Sequence, residues 1–272
     1  MRSFIIKSLV VLSIMASGIM IYGFINGALS VNGKETKTSE NTNKSVEKNK
    51  DQDQKDEQTL SLVGLGDSLT RGVGDDKGAG YFDRLKTALS ESQKKTIVAS
   101  NLSVSGAKSK DLLLLLNDKG VQYTINHADV IVMTMGGNDL SPGMGNLTSE
   151  FLATYQPDIA TFTTDAKTIL ETIRSNNSNA PIYWVSLFNP YEGLKGYEKT
   201  SEAVMQWNLA LEKVTGVYPN VYVVPSLDLF KGKVPAWLYV DKYHPNGKGY
   251  QAITERLLPI ILTNLKGIES NE

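Results

Sequence analysis

The chain has 272 residues, 41% hydrophobic and 21% charged, with a formal net charge of −1, no cysteine and two histidines. Without cysteine there is no disulfide framework, no thiolate nucleophile and no cysteine-ligated zinc or iron–sulfur cluster, and His127 and His244 cannot form a His-Glu-x-x-His zinc site. A pI near 6.2 lacks the basic excess that binding a phosphate backbone demands, so nucleic acid is not an expected partner.

The chain opens with Arg2 and Lys7 ahead of a charge-free stretch whose apolar heart, residues 9–29, is 21 residues long. A helix of that length crosses roughly 30 Å of hydrocarbon, whereas a cleaved export signal usually has an apolar region of about 7–15 residues. Residues 1–30 therefore read as a signal anchor forming a transmembrane helix. Ala28 and Ser30 are small residues two apart, so cleavage before Val31 to give a secreted form is the alternative. Residues 31–59 carry six lysines against seven acidic residues and no aromatic residue, too little apolar surface to offset the entropy of ordering, and read as a disordered polar linker. Residues 60–272 have no repeat and no second low-complexity break, and read as one domain held outside the membrane.

Within that domain, short apolar runs rich in Val and Ile recur at residues 60–65, 96–104, 130–135, 181–188 and 221–224. Most are apolar at consecutive positions, as expected for strands covered on both faces. Helical periodicity appears at 81–92, 149–175, 201–217 and 247–265. Strands alternating with helices predict an α/β fold with a mostly parallel sheet between helical layers, and ligands in such folds sit at the carboxyl ends of the strands.

Four segments at those strand ends carry unusual residues. Gly66-Asp67-Ser68-Leu69 follows the first run, where Gly66 permits a tight turn and Ser68 falls at a helix start. Taken alone, Ser68 is equally a helix N-cap, and a phosphate-cradling loop is disfavoured because no Gly-Lys-Ser/Thr follows. Near the end of the chain, Asp241-Lys242-Tyr243-His244 supplies what a serine hydroxyl needs for activation. An imidazole there serves as base, and a carboxylate three residues earlier can bond its Nδ1 and leave Nε2 free. A solvated or capping role is the plain alternative for His244. His127 has no such arrangement and reads as structural. Met135-Gly136-Gly137-Asn138-Asp139 follows the third run, where Asn138 can offer an amide N–H to a developing oxyanion or simply make a turn. Gly106, after the second run, can offer its backbone N–H, though by itself it says little.

Taken in order, Gly66-Asp67-Ser68-Leu69, the Gly106 segment, Gly137-Asn138-Asp139 and Asp241-x-x-His244 resemble the four blocks of the SGNH (GDSL-type) hydrolases over about residues 60–265. The resemblance implies a flavodoxin-like three-layer α/β/α sandwich with five central strands, and hydrolysis of carboxylic esters. It also implies Ser68 as nucleophile, His244 as base and Asp241 as its orienter, with an oxyanion hole made by the N–H groups of Ser68 and Gly106 and the Asn138 amide. Asp67 and Asp139 match the motifs and are assigned local structural work. No metal or organic cofactor is called for.

Rival serine chemistries fit less well. Thr70 stands where the α/β-hydrolase elbow wants its second glycine, and Ser105-Gly106-Ala107-Lys108 has no Lys-Thr-Gly partner downstream. Residues 140–155 and 188–199 should border the pocket, bringing Met144, Leu147, Phe151, Tyr155, Phe188, Tyr191, Leu194 and Tyr197 as apolar or aromatic surface. The expected partner is a small-molecule, lipid or acylated-glycan ester, met by a monomer displayed outside the membrane. A lipase or acylhydrolase leads; a deacetylase of O-acetylated wall glycans and a noncatalytic glycan- or lipid-binding module are the alternatives.

Overall fold

The computed structural model describes residues 58–141 and 156–269. The predicted anchor, and the predicted linker up to residue 57, lie outside the described residues, as do Met144, Leu147, Phe151 and Tyr155. Among the described residues, no helix is long and apolar enough to cross a membrane.

Five strands, β1 (Thr59–Gly66), β2 (Thr96–Asn101), β3 (Val130–Thr134), β4 (Ile182–Val185) and β5 (Val221–Val224), form one sheet in the order β2-β1-β3-β4-β5. Every neighbouring pair is parallel. Helices α1 (Ser68–Arg71), α2 (Gly80–Gln93), α3 (Ser109–Leu115), α4 (Lys119–Asn126) and α5 (Gly137–Leu140) occupy the first half of the domain. The second half carries α6 (Ile159–Asn176), α7 (Glu198–Thr215), α8 (Leu227–Phe230), α9 (Val234–Trp237) and α10 (Gly247–Glu269).

The strand residues explain the layering. Leu60, Leu62, Val130, Val132, Tyr183 and Val185 face a core shared with α2 and α10, while Leu65, Ile131, Met133, Ile182 and Trp184 face a core shared with α3, α4, α6 and α7. Side chains alternate across a strand, so an apolar run with no polar interruption is stable only when both faces are covered. The consecutive Val and Ile of β3 satisfy that condition, and all five of its residues are buried.

The structure departs from the predicted elements at several points. The sequence reading places no helix between the second and third strands, where α3 and α4 lie. Two predicted strands run past their observed ends, for a physical reason in each case. Beyond Asn101 the chain still donates to the Gly64 and Gly66 carbonyls, but the Asn101 side chain accepts the Ser103 N–H and donates to Thr70 O, bending the backbone. Beyond Val185, Leu187 N–H and C=O both pair with the Asn208 side-chain amide of α7 at 2.9 and 2.8 Å in place of a strand neighbour. The helix predicted over 149–175 is described from Ile159, where the Asp158 side chain accepts Thr161 N–H.

Chain direction across the sheet sets the site. From β1 the chain moves outward to β2 and then returns to β3 on the other side of β1, so the loops after β1 and β3 diverge at the carboxyl edge. That switch point opens a crevice between strands.

Candidate active site

Gly66 ends β1 opposite Thr134, with φ at +117°, and a Cβ there would lie 1.8 Å from Thr134 O. Only glycine lets the two strands stay paired while the chain turns. Asp67 then caps α1, its Oδ1 accepting from Leu69 N–H at 3.0 Å and from the Thr134 hydroxyl at 2.7 Å. The cap leaves Ser68 as the first helical residue, 5% exposed. Thus Asp67, not Ser68, serves as the N-cap.

On the opposite side of the crevice, the segment between α9 and α10 is closed by a bridge between Leu238 and Pro245 and by Tyr239 N–H donating to His244 O at 2.8 Å. Asp241 Oδ1 accepts the N–H groups of Tyr243 and His244 at 2.9 and 3.0 Å, which turns Oδ2 onto His244 Nδ1 at 2.7 Å. His244 Nε2 lies 2.8 Å from Ser68 Oγ. Burial pushes the Asp241 carboxyl up, but the bonds from His244 and from the two N–H groups outweigh it and hold it below the ordinary carboxylate value. An ionised carboxylate only accepts, so Nδ1 carries the ring hydrogen and Nε2 is left to accept from the serine hydroxyl. The arrangement can move a proton from Ser68 to His244.

Gly106, at φ +81°, faces open space, and among the described residues neither its N–H nor that of Ser68 donates to a protein acceptor. Asn138 Nδ2 gives one hydrogen to Ala107 O at 2.9 Å and retains a second. Ser68, His244 and Asp241 thus meet directly, and the Asn138 amide is bonded to the segment that carries Gly106. His127 stands apart, exposed at the end of α4 with Nδ1 2.8 Å from Tyr123 O, in keeping with its structural reading.

A cavity of about 360 Å³ adjoins Gly137 and Tyr243 and is lined by Leu69, Leu140, Val185, Leu187 and Phe188, by Ala203 and Val204 of α7, and by polar residues such as Asn189, Glu202 and Gln206. Of the predicted pocket residues described, Phe188 and Tyr191 line it. Leu194 does not and is half exposed, and Tyr197 instead stacks on Tyr191 with centroids 5.6 Å apart. The α7 wall was not foreseen: Thr200, Ala203 and Val204 carry no motif, and only the turn of chain after Asn189 brings them to the crevice. Burial pushes the Tyr191 hydroxyl up to about 12.

A fully parallel five-stranded sheet with Ser68 and His244 in contact at its carboxyl edge is the fold and arrangement of an α/β hydrolase of the SGNH type. The model of the GDSL-like lipase/acylhydrolase family matches residues 65–252, and the chain belongs to that family and is a carboxylic ester hydrolase. It is 34% identical over 222 residues to the uncharacterized protein YpmR of Bacillus subtilis, covering 79% of this chain and 86% of that one. It is 27% identical to the spore germination lipase LipC of Bacillus licheniformis, covering 73% of this chain and 95% of LipC. Among solved structures, the lipase Lip_vut3 from a goat rumen metagenome superposes with a TM-score of 0.63 at 25% identity, over 73% of this chain and 95% of the lipase.

Proposed function

We propose that the protein cleaves esters by a two-step acyl transfer on Ser68. His244 takes the hydroxyl proton as Ser68 attacks the ester carbonyl, and Asp241 steadies the imidazolium. The tetrahedral oxyanion rests on the N–H groups of Ser68 and Gly106 and on the Asn138 amide. His244 then protonates the departing alcohol, and a water activated by the same imidazole hydrolyses the acyl-enzyme. The observation that carries this reading is the pair of contacts on one imidazole, 2.8 Å to Ser68 Oγ and 2.7 Å to Asp241 Oδ2.

The cavity that adjoins Gly137 and Tyr243, with Leu69, Leu140, Val185, Leu187 and Phe188 among its lining residues, supports a lipase or acylhydrolase over a deacetylase. At a share of about 30 Å³ per water-sized group, 360 Å³ accommodates on the order of ten heavy atoms, well beyond an acetyl group. The likeness to a spore germination lipase supports the same direction. We further propose a monomer tethered by residues 1–59 with its catalytic domain outside the membrane, a reading carried by the apolar length of residues 9–29 and the polar composition that follows. Turnover of acyl esters of graded chain length by the full chain, beside acetylated glycans and with Ser68→Ala as blank, tests the substrate reading. Preference for medium chains supports it, and turnover of acetylated glycans alone overturns it.

A further inference from the structure

A line of buried hydroxyls runs up to the turn that carries Ser68 and is not used by the chemistry above. Asp67 and Thr70 lie on either side of Ser68 in that turn, Thr134 ends β3, and Tyr81 belongs to α2; none of the four is more than 2% exposed. Thr134 Oγ is 2.7 Å from Asp67 Oδ1 and 2.7 Å from Thr70 Oγ, and Thr70 Oγ is 2.6 Å from the Tyr81 hydroxyl. Each hydroxyl has one hydrogen, which gives the line a direction. Thr134 donates to Asp67 and so can only accept from Thr70, which in turn accepts from Tyr81. Each of the three hydroxyls thereby has its donor satisfied without water.

The backbone N–H groups of the same turn are shared out by the same residues. Arg71 N–H to Asp67 O, at 3.0 Å, is the first bond within α1, so the N–H groups of residues 68, 69 and 70 have no acceptor inside the helix. Leu69 N–H goes to Asp67 Oδ1 at 3.0 Å, and Thr70 N–H goes to Thr134 Oγ at 3.2 Å. Among the described residues, that leaves Ser68 N–H alone in the turn without a protein acceptor. It is the donor that the acyl-transfer reading gives to the oxyanion. Residue 70 is held by its carbonyl as well, which accepts from Asn101 Nδ2 at 2.9 Å.

We propose that Thr134 is a positioning residue for the nucleophile: its hydroxyl, bonded to Asp67 and Thr70 on either side of Ser68, holds the turn so that only the Ser68 N–H stays free. Without that hydroxyl, Asp67 Oδ1 loses a donor and Thr70 N–H loses its acceptor. A buried N–H left unpaired is costly, so the turn relaxes toward another acceptor. That movement carries Ser68 with it, whereas His244 stands on a separate loop and does not follow. Thr134 therefore acts through Ser68, on the attack and on the oxyanion bond together. Tyr81 closes the far end of the line and contributes to stability alone. The inference rests on the ester-hydrolase reading for its effect on kcat, but not for its bonding pattern.

The test uses the full chain. Thr134→Val keeps the shape of the side chain and removes its hydroxyl, so kcat on a short-chain ester should fall about tenfold or more with KM changed less than about twofold. Thr134→Ser restores the hydroxyl and should bring kcat back to within about threefold of the parent. Tyr81→Phe removes the last donor of the line and leaves both Thr134 bonds in place, so Tm should fall while kcat stays within about threefold. A merely structural role would instead make kcat follow Tm across the three proteins. Residue-resolved amide hydrogen exchange of the parent should show Ser68 N–H exchanging at least about tenfold faster than those of Leu69 and Thr70. That measurement needs no turnover, so it separates failure of this proposal from failure of the ester-hydrolase reading. An unchanged kcat in Thr134→Val, a Thr134→Ser or Tyr81→Phe protein as slow as Thr134→Val, or a Ser68 N–H as protected as that of Thr70 would each overturn the proposal.

Discussion

Gly74 is pressed against the back of His244. A Cβ on residue 74 would lie 2.8 Å from His244 Cβ and 2.7 Å from Pro245 O, and its φ is +95°. The loop that carries it is pinned on both sides: Asp75 pairs with Arg84 and accepts Gly80 N–H, and the Tyr250 hydroxyl donates to Val73 O at 2.6 Å. The imidazole is thus held by Asp241 in front and by a fixed backbone behind.

Gly74→Ala should therefore push His244 off Ser68. A misplacement near 1 Å costs about 10²-fold in rate, so a fall in kcat of that order is expected. Gly78→Ala is the control. Residue 78 also has a positive φ, +67°, but nothing lies within 4 Å of its Cβ position, so only stability should suffer. Steady-state kinetics and thermal unfolding of the two proteins check this, and equal kcat losses would remove the role given to Gly74.

Asp67 carries the opposite lesson about charge. Its Oδ2 is buried without a hydrogen-bond partner, and burial holds its carboxyl above the ordinary value of 3.8 despite bonds from Thr134 and Leu69. A raised carboxyl makes folding favourable below the unfolded value and erodes stability as pH rises toward the folded one. Asp67→Asn keeps an oxygen for Leu69 and Thr134 and removes the charge. Its Tm should exceed the parent's at pH 8 and the advantage should shrink toward pH 4. A variant less stable at pH 8 than at pH 4, relative to the parent, would contradict this.

Asn138→Ala removes the proposed side-chain oxyanion donor, and its cost should appear in kcat, by about 10²–10³-fold, with KM little changed. Asn138→Asp keeps the size but has no N–H to donate, so it loses the bond to Ala107 O as well, and the two should be similarly slow. An unchanged kcat on an ester whose chemistry limits turnover would exclude Asn138 from the hole.

Ala203→Phe should narrow the cavity that Ala203 lines together with Leu187 and Val204. Acetyl ester turnover is expected to persist while kcat/KM for an octanoyl ester falls about tenfold or more, since each lost methylene contact is worth about 0.8 kcal/mol. A uniform loss across chain lengths would place the acyl group elsewhere.

Much of this site is legible in the sequence because its parts are local. Gly66-Asp67-Ser68 is a strand end, a cap and a helix start in adjacent positions, and Asp241 reaches His244 within one loop. The apolar runs of β1 and β3 announce burial on both faces. Less legible is what depends on distant partners. The five consecutive leucines from Leu112 to Leu116 lack a helical stripe because α3 is short and leaves Leu114 71% exposed. The end of β4 is decided by Asn208, 21 positions away. The Ser109 hydroxyl meets Asp139 and Asp165, 30 and 56 positions away, and no spacing in the chain foretells it.

The central claim is that the hydroxyl of residue 68 is made nucleophilic by the imidazole of residue 244. Its most direct test is labelling of the full chain with a fluorophosphonate probe and mapping of the adduct by peptide mass, in the parent and in His244→Ala. The account requires a single adduct on Ser68, formed at least about 10²-fold more slowly without the imidazole. A correctly folded parent with Ser68 unmodified, or labelling at full speed in His244→Ala, would contradict it.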